Sequence, residues 1–238
     1  MGALVLQSAT EFTPAIANQT LASWAGEEIV DVSVAALGEG VGLMSSIARA
    51  ELTLASGARR SVIVKVIAQT ENVGISKELN FYSNEVNFYR YLADQCPVPV
   101  PACLFVDIDP ETQDFLLILE DMGDAAAGDQ IAGCDSALME QAFVRAGQLH
   151  GRFWDRTAQF DWLRYQNVPE LNQFRRDAIF KPGVAPTLEM FPHHFRGNLA
   201  EVVTKIGDQF VEIFERAMAG PQTVIHGDYR IDNMLLPI

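Results

Sequence analysis

The chain has 238 residues, of which 49% are hydrophobic, so it can form one large domain or two lobes with a packed core. Its formal net charge of -14 argues against nucleic acid and against an anionic membrane surface as partners, because both would repel it. The three cysteines form no C-x-x-C pair, which fits a reducing compartment and predicts a cytoplasmic protein without a zinc knuckle.

The N-terminal residues carry no recognisable targeting signal. No basic residues precede the first apolar stretch, and Leu6 stands where a myristoylation signal requires Ser or Thr. We therefore expect no export, no lipid anchor and no membrane partner. A helical extension of about residues 1–28 is expected before the first strand.

A glycine-rich segment separates the first two predicted strands, residues 29–36 and 47–54. It contains three alternate glycines: Gly38, Gly40 and Gly42. Such glycines let the backbone turn tightly, so that its N–H groups and the Ser45 hydroxyl can face a phosphate. A plain glycine hairpin fits the segment equally well. A Rossmann dinucleotide fingerprint is disfavoured, because a strand and not a helix follows the glycines.

The third predicted strand, residues 61–67, carries a single charged side chain, Lys65, in an otherwise apolar run. A buried cation is costly unless an anion meets it. The helix predicted from about Lys77 to Ala93 supplies one, since a carboxylate falls on its apolar stripe. That stripe consists of Phe81, Glu85, Phe88 and Leu92. Glu85 is the predicted partner of Lys65, with two alternatives: pairing with Glu78, or an edge strand on which Lys65 reaches water.

Two further strands are predicted at residues 103–108 and 114–120. The second is apolar and runs into a short polar link that contains Glu120 and Met122. A buried strand that ends in such a link is typical of a kinase hinge, whose backbone groups bind adenine. Glu120 and Met122 are therefore predicted to contact the base. The amphipathic segment 136–154 is predicted to be helical.

Residues 226–233 read His-Gly-Asp-Tyr-Arg-Ile-Asp-Asn. His, one residue, Asp, four residues and Asn is the spacing of a kinase catalytic loop. This spacing puts two functions on one turn, because Asp228 can accept the proton of an attacking hydroxyl while Asn233 holds Mg²⁺ bound to ATP phosphates. A polar surface turn with one buried histidine fits the same spacing.

Together these segments resemble the aminoglycoside phosphotransferase superfamily, and most of all its ecdysteroid-kinase-like branch of small-molecule kinases. Four phrases have close counterparts there: EVNFYRYLA, LILEDMG, LHGRFW and VIHGDYRIDNML. The resemblance covers roughly residues 25–238. It implies an α+β, bilobal protein-kinase-like fold. An antiparallel β-sheet N-terminal lobe with helix C would span residues 1–122, and an incomplete, mainly helical C-terminal lobe would span residues 123–238.

The resemblance also implies a role for each site residue, with ATP and Mg²⁺ as cofactors. Asp228 is the implied catalytic base, Asn233 a Mg²⁺ ligand, and Arg230 a positive charge beside the transferring phosphoryl group. Lys65 would hold the α and β phosphates, oriented by Glu85.

Two positions bear on the acceptor and on activity. Protein kinases carry Arg where this chain has Gly227, and that Arg reads a phosphorylated activation loop, so the implied acceptor is a small hydroxylated molecule. The family continues past its Asn to a second metal-binding Asp, whereas this sequence ends at Ile238. We therefore expect a C-terminally truncated kinase that is inactive in its 238-residue form.

Two other functions fit parts of the sequence. A non-catalytic nucleotide-binding protein would keep the fold without the second metal-binding Asp. A metal-dependent hydrolase could use His226, Asp228 and Asp232 as ligands. ATP binding without turnover would favour the first, and tight Zn²⁺ or Mn²⁺ binding without nucleotide would favour the second.

Overall fold

The computed structural model describes residues 2–37, 45–70, 73–123, 125–163 and 168–236. These residues belong to two compact units. The first unit contains Met1–Arg152 and Ile225–Ile238, and the second contains Phe153–Val224. The loop at residues 226–233 therefore belongs to the same unit as the sheet. The predicted lobes rest on the family resemblance, and their boundary stays a prediction.

An antiparallel sheet forms the centre of the first unit. Its strands are β1 (Ile29–Ala36), β2 (Ser45–Leu54), β3 (Arg59–Ile67), β4 (Cys103–Ile108) and β5 (Phe115–Glu120). They lie in the order β1-β2-β3-β5-β4. All five strands were predicted from sequence to within two residues at each end, because runs of branched apolar residues between turns favour a pleated, buried surface.

One face of the sheet packs against helix α1 (Pro14–Ala25) and the chain that precedes it. Proline at the first helical turn and Gly26, with a left-handed φ of 75°, mark the two ends of this helix. Leu6 and Phe12 from the preceding chain are buried in the same cluster. The N-terminal segment is thus part of the core.

The opposite face of the sheet packs against a helical segment that is divided, so the prediction of one continuous helix was wrong. Its parts are α2 (Val73–Glu78), α3 (Phe81–Asn87), a π-helical turn (Phe88–Leu92) and a 3₁₀ turn (Ala93–Gln95). The break falls at Asn80, whose φ is 59°. Asparagine tolerates this left-handed conformation better than most residues, which explains why the helix is interrupted there.

The buried stripe of α3 also differs from the prediction. Tyr82 and Val86 are buried in a cluster with Phe115 and Leu117 of β5, whereas Phe81 is exposed. On α3 the buried residues therefore lie one position later than predicted, in the helix that follows the break at Asn80.

A short two-stranded ladder connects the segment after β5 to the end of the 226–233 loop. It consists of β6 (Ala126–Ala127) and β7 (Leu235–Leu236), paired antiparallel. Helix α4 (Ser136–Phe153) follows β6, and a 3₁₀ turn (Ile231–Asn233) precedes β7. This ladder places the loop next to the chain that leaves the sheet.

The second unit is helical. Its elements are a 3₁₀ turn (Thr157–Gln159), α5 (Pro169–Phe174), a π-helical turn (Arg175–Phe180), α6 (Lys181–Met190), α7 (Leu199–Asp208) and α8 (Phe210–Ala217). The ring of Phe210 packs against Phe180 and Phe214. Within the described part of the chain, no helix has the length and apolar content needed to cross a membrane.

Candidate active site

Lys65 and Glu85 form an ion pair on the second face of the sheet. Lys65 Nζ lies 2.5 Å from Glu85 Oε1. Ile47 and Leu117 are opposite Lys65 on the neighbouring strands, so its direct cross-strand neighbours are apolar, and its side chain is only 18% exposed. The predicted contact is confirmed. Glu78 is exposed and belongs to α2, before the helix break.

The segment that follows β5, which we call the link after β5, places backbone groups at the edge of the sheet face that carries Lys65. The Glu120 N–H donates to the Ala102 carbonyl oxygen at 2.9 Å, and Glu120 Oε2 accepts the Ala102 N–H at 3.3 Å. The chain then turns at Gly123, whose φ is 63°. The N–H of Met122 makes no hydrogen bond to another described residue, so it is a donor that a ligand can use. The adenine contacts of Glu120 and Met122 stay a prediction.

The predicted phosphate-binding turn is described only at its end. Gly38, Gly40 and Gly42 lie outside the described residues. Ser45 is the first residue of β2 and stands opposite Ile67 of β3. The role of these four residues stays a prediction.

Asp228 and Asn233 are held together by direct hydrogen bonds. Asn233 Nδ2 donates to Asp228 Oδ2 at 3.0 Å and to the Asp228 carbonyl oxygen at 2.8 Å. The 3₁₀ turn that ends at Asn233 brings the amide back over Asp228. The spacing of the motif therefore produces a compact polar pair, with the Asp228 side chain 54% exposed.

Arg230 lies beside the Asp228 carboxylate. Its Nε is 2.8 Å from Asp228 Oδ1, and its Nη2 is 3.5 Å from Asp232 Oδ2. Its Nη1 donates to Gln130 Oε1 at 3.0 Å. The structure thus brings together Asp228, Arg230 and Asn233, whose catalytic roles stay a prediction.

Two contacts that the sequence analysis missed fasten this loop to its surroundings. The Tyr229 hydroxyl donates to the Ala142 carbonyl oxygen of α4 at 2.8 Å. Gly128 packs directly against Ile231, leaving no room for a side chain. Neither contact has a signal in the sequence beyond the residue type, because the partners come from distant segments.

A third missed contact is the ion pair of Arg49 in β2 with Asp121, which follows β5. The sequence contained no signal for this pair, because the second strand was predicted with alternating polar and apolar residues, and a charge on the polar face of such a strand requires no buried partner.

His226 takes part in the loop's own hydrogen bonding. Its Nδ1 accepts the backbone N–H of Asp228 at 3.3 Å, and its ring packs edge-on against Tyr229. A nitrogen that accepts this hydrogen bond is not available as a metal ligand. Among the residues that the structure describes, no group of three or more His, Cys, Asp or Glu side chains is placed to hold a metal ion.

Comparison with known proteins agrees with this geometry. The sequence profile of the phosphotransferase enzyme family matches residues 56–237, which is most of the chain. The chain belongs to the phosphotransferase enzyme family. No curated protein sequence matches it.

Membership of the phosphotransferase enzyme family confirms the predicted superfamily. Together with the antiparallel sheet and its helices, it also confirms the predicted α+β, kinase-like fold. The matched residues include Lys65, Glu85, Asp228 and Asn233. Arg49 and the glycine segment precede the match. The ecdysteroid-kinase-like branch stays a prediction.

Proposed function

We propose that this phosphotransferase is an ATP- and Mg²⁺-dependent kinase that transfers the γ-phosphoryl group to a hydroxyl of a small molecule. The pairing of Asn233 with Asp228 carries the proposal. It puts a carboxylate that can accept a proton next to an amide oxygen that can hold a cation. Both lie in the compact unit that also contains the Lys65–Glu85 ion pair.

The Asn233 side chain fits a Mg²⁺ ligand. Because its Nδ2 donates to Asp228, its Oδ1 is the atom left for a cation. Mg²⁺ prefers oxygen ligands and usually binds through one or two side chains together with phosphate oxygens. When bound, Mg²⁺ would supply positive charge that neutralises the phosphates.

Lys65 and the link after β5 support the nucleotide assignment. Glu85 fixes the Lys65 ammonium group on the face of the sheet, where it can pair with phosphate oxygens. The Met122 N–H at the edge of this face can donate to the base. One face of the sheet thus offers a cation for the phosphates and a backbone donor for the adenine.

In the proposed reaction, Asp228 accepts the proton of the acceptor hydroxyl. The hydroxyl oxygen forms a bond to the γ-phosphorus, the bond between that phosphorus and the bridging oxygen of ADP breaks, and ADP leaves with the electron pair. Each carboxylate oxygen has two acceptor positions, so Asp228 can hold Asn233 and Arg230 and still accept this proton. Its exposure leaves room for the acceptor to approach.

Gly227 supports a small-molecule acceptor. Its φ of 84° lies in the left-handed region, where a side chain is strained. The backbone itself therefore favours glycine at a position where protein kinases carry a phosphate-reading arginine. Without that arginine, the loop has no residue at this position to sense a phosphorylated activation segment.

Two measurements test the proposal. Calorimetry measures the binding of ATP, and a transfer assay with γ-labelled ATP measures phosphorylation of a panel of hydroxylated small molecules. Both measurements use the purified full-length protein. Asp228→Asn is expected to bind ATP within a few-fold of the unsubstituted protein and to lose about 10²- to 10⁴-fold in transfer. Asn233→Ala is expected to weaken binding of Mg²⁺·ATP more than of metal-free ATP.

Asp94→Asn, at an exposed carboxylate of the 3₁₀ turn after the helix, is the matched control and should change neither quantity. Transfer by Asp228→Asn at a rate close to that of the unsubstituted protein would refute the role of Asp228. ATP binding without transfer to any acceptor would instead favour a non-catalytic nucleotide-binding protein.

A further inference from the structure

Arg49 and Asp121 form an ion pair that is shielded from solvent on the carboxylate side. Arg49 Nη2 donates to Asp121 Oδ1 at 3.0 Å. Arg49 Nε lies 2.7 Å from Asp121 Oδ2 as a charge contact without the direction of a hydrogen bond. The Asp121 side chain is only 5% exposed, whereas that of Arg49 is 37% exposed. A carboxylate so deeply buried needs its partners, because an unpaired buried charge is strongly unfavourable.

The pair lies on the same face of the sheet as Lys65. Residues directly opposite each other in an antiparallel pair point to the same face. Arg49 is opposite Ile63 of β3, and Ile63 is two residues before Lys65, which is about 7 Å along a strand. Glu120 is opposite Val62, so Asp121 follows at the level of Ser61. Arg49 thus spans from β2 to the link after β5 on the proposed nucleotide face.

The same two side chains hold the backbone of that link. The Gly123 N–H donates to Asp121 Oδ1 at 3.0 Å, and Arg49 Nη2 donates to the Gly123 carbonyl oxygen at 3.2 Å. Both backbone groups of Gly123 are therefore engaged by the ion pair. Met122, whose N–H is the proposed donor to the base, stands between the two anchored residues.

The electrostatics keep the carboxylate charged. Burial alone would raise the pKa of Asp121, but hydrogen bonds from Ser61 and Arg49 outweigh it and hold the pKa below its usual value. Asp121 is therefore ionised at neutral pH and attracts the guanidinium continuously. A charged pair of this kind fixes the link more firmly than a neutral contact would.

We propose that Arg49 and Asp121 are positioning residues that hold the Met122–Gly123 backbone in the conformation that binds the nucleotide base. This inference rests on the proposed function, because it assigns the base to the link after β5. It assigns different parts of the nucleotide to different residues on one face of the sheet. Lys65 acts on the phosphates, and the Arg49–Asp121 pair acts on the base through the backbone.

Two probes separate these contributions: adenosine, which lacks phosphates, and Mg²⁺·tripolyphosphate, which lacks the base. Arg49→Met is expected to weaken adenosine and ATP by the same factor, about 10-fold, and to leave tripolyphosphate unchanged. This factor corresponds to about 1.4 kcal/mol, within the range for disturbing a buried charged hydrogen bond. Lys65→Met is expected to weaken the binding of tripolyphosphate and of ATP and to leave adenosine binding unchanged. Arg59→Met, at an exposed residue of β3, is the matched control and should change neither affinity.

Arg49→Lys is a second test in case Arg49→Met does not fold. It keeps the positive charge but loses the planar guanidinium that contacts both Asp121 and Gly123. It should weaken adenosine by an intermediate factor. If both Arg49→Lys and Arg49→Met left adenosine affinity unchanged, the inference would be overturned. The proposed function would still stand if Lys65→Met weakened the binding of tripolyphosphate. Equal loss for both probes would indicate a general structural role and would also overturn the inference. If the unsubstituted protein bound no ATP, or if Lys65→Met had no effect, the proposed function would fail and this inference with it.

Discussion

Gly128 packs against Ile231 so closely that no side chain fits between them. A methyl group on Gly128 would lie 2.6 Å from the Ile231 carbonyl oxygen and would also overlap Ile231 Cγ1. Ile231 begins the 3₁₀ turn that ends at Asn233, and the Gly128 N–H donates to the Met234 carbonyl oxygen at 3.2 Å. The position of the 3₁₀ turn at Ile231–Asn233, which contains the proposed metal ligand Asn233, therefore depends on a residue without a side chain.

We expect Gly128→Ala to displace the turn and to lower phosphoryl transfer by about 10- to 100-fold, because a shift of about 1 Å in catalytic groups has effects of this size. Overpacking should also lower the free energy of unfolding by about 1–3 kcal/mol. Transfer kinetics and thermal unfolding measure the two effects. Gly147→Ala in α4 is the control, since an added methyl group there contacts nothing within 4 Å. It should keep full activity and gain up to about 1 kcal/mol in stability.

Glu85→Gln tests the ion pair with Lys65. The substitution keeps the size of the side chain and removes its charge, so Lys65 loses the group that orients it. We expect ATP affinity to fall about 10-fold. The free energy of unfolding should change by only about 1 kcal/mol, since both side chains retain some contact with water. Glu78→Gln, at the exposed alternative, should bind ATP normally. If both variants lost the same affinity, the pairing would not be the cause.

Tyr229→Phe removes one of the contacts between the loop at residues 226–233 and α4. The hydroxyl donates to the Ala142 carbonyl oxygen at 2.8 Å, and burial raises the pKa of Tyr229, so the proton stays on the oxygen. We expect a loss of about 1 kcal/mol in stability, together with faster hydrogen exchange of the amides in residues 226–233. Tyr91→Phe, at an exposed ring, is the control. Unchanged exchange in Tyr229→Phe would show that the hydroxyl does not restrain the loop.

Asp121→Asn should reveal the lowered pKa of Asp121 as a pH-dependent loss of stability. The folded pKa lies below the unfolded value of about 3.9, so the ionised group stabilises the fold above that value. This contribution disappears as the pH falls through the folded pKa. The difference in free energy of unfolding between the two proteins should be constant from about pH 5 to 7 and shrink below about pH 4. Denaturant unfolding at each pH measures it, and a difference that stayed the same down to pH 3 would contradict the buried ion pair.

The strands and the Lys65–Glu85 contact were predictable because their causes are local. Apolar runs between turn residues favour strands whatever surrounds them, and a lone charge in such a run requires a partner. The helix boundaries were not predictable to the same degree. Asn80 adopts its left-handed conformation within a segment whose composition favours helix, and after this break Tyr82 is the buried residue where the sequence pattern predicted Phe81.

From the sequence alone follow the five strands and the identity of Asp228 and Asn233 as a pair on one turn, because each depends on spacing within a short segment. The α+β, kinase-like class followed from the resemblance of the sequence to a known family. Only the tertiary structure decided which residues support the strands and this pair. Arg49 and Asp121 are 72 positions apart in the chain, and Gly128 and Ile231 are further apart still. The physical reason is that such contacts depend on strand register and on the close approach of two backbones, and neither is encoded in the periodicity of any single segment.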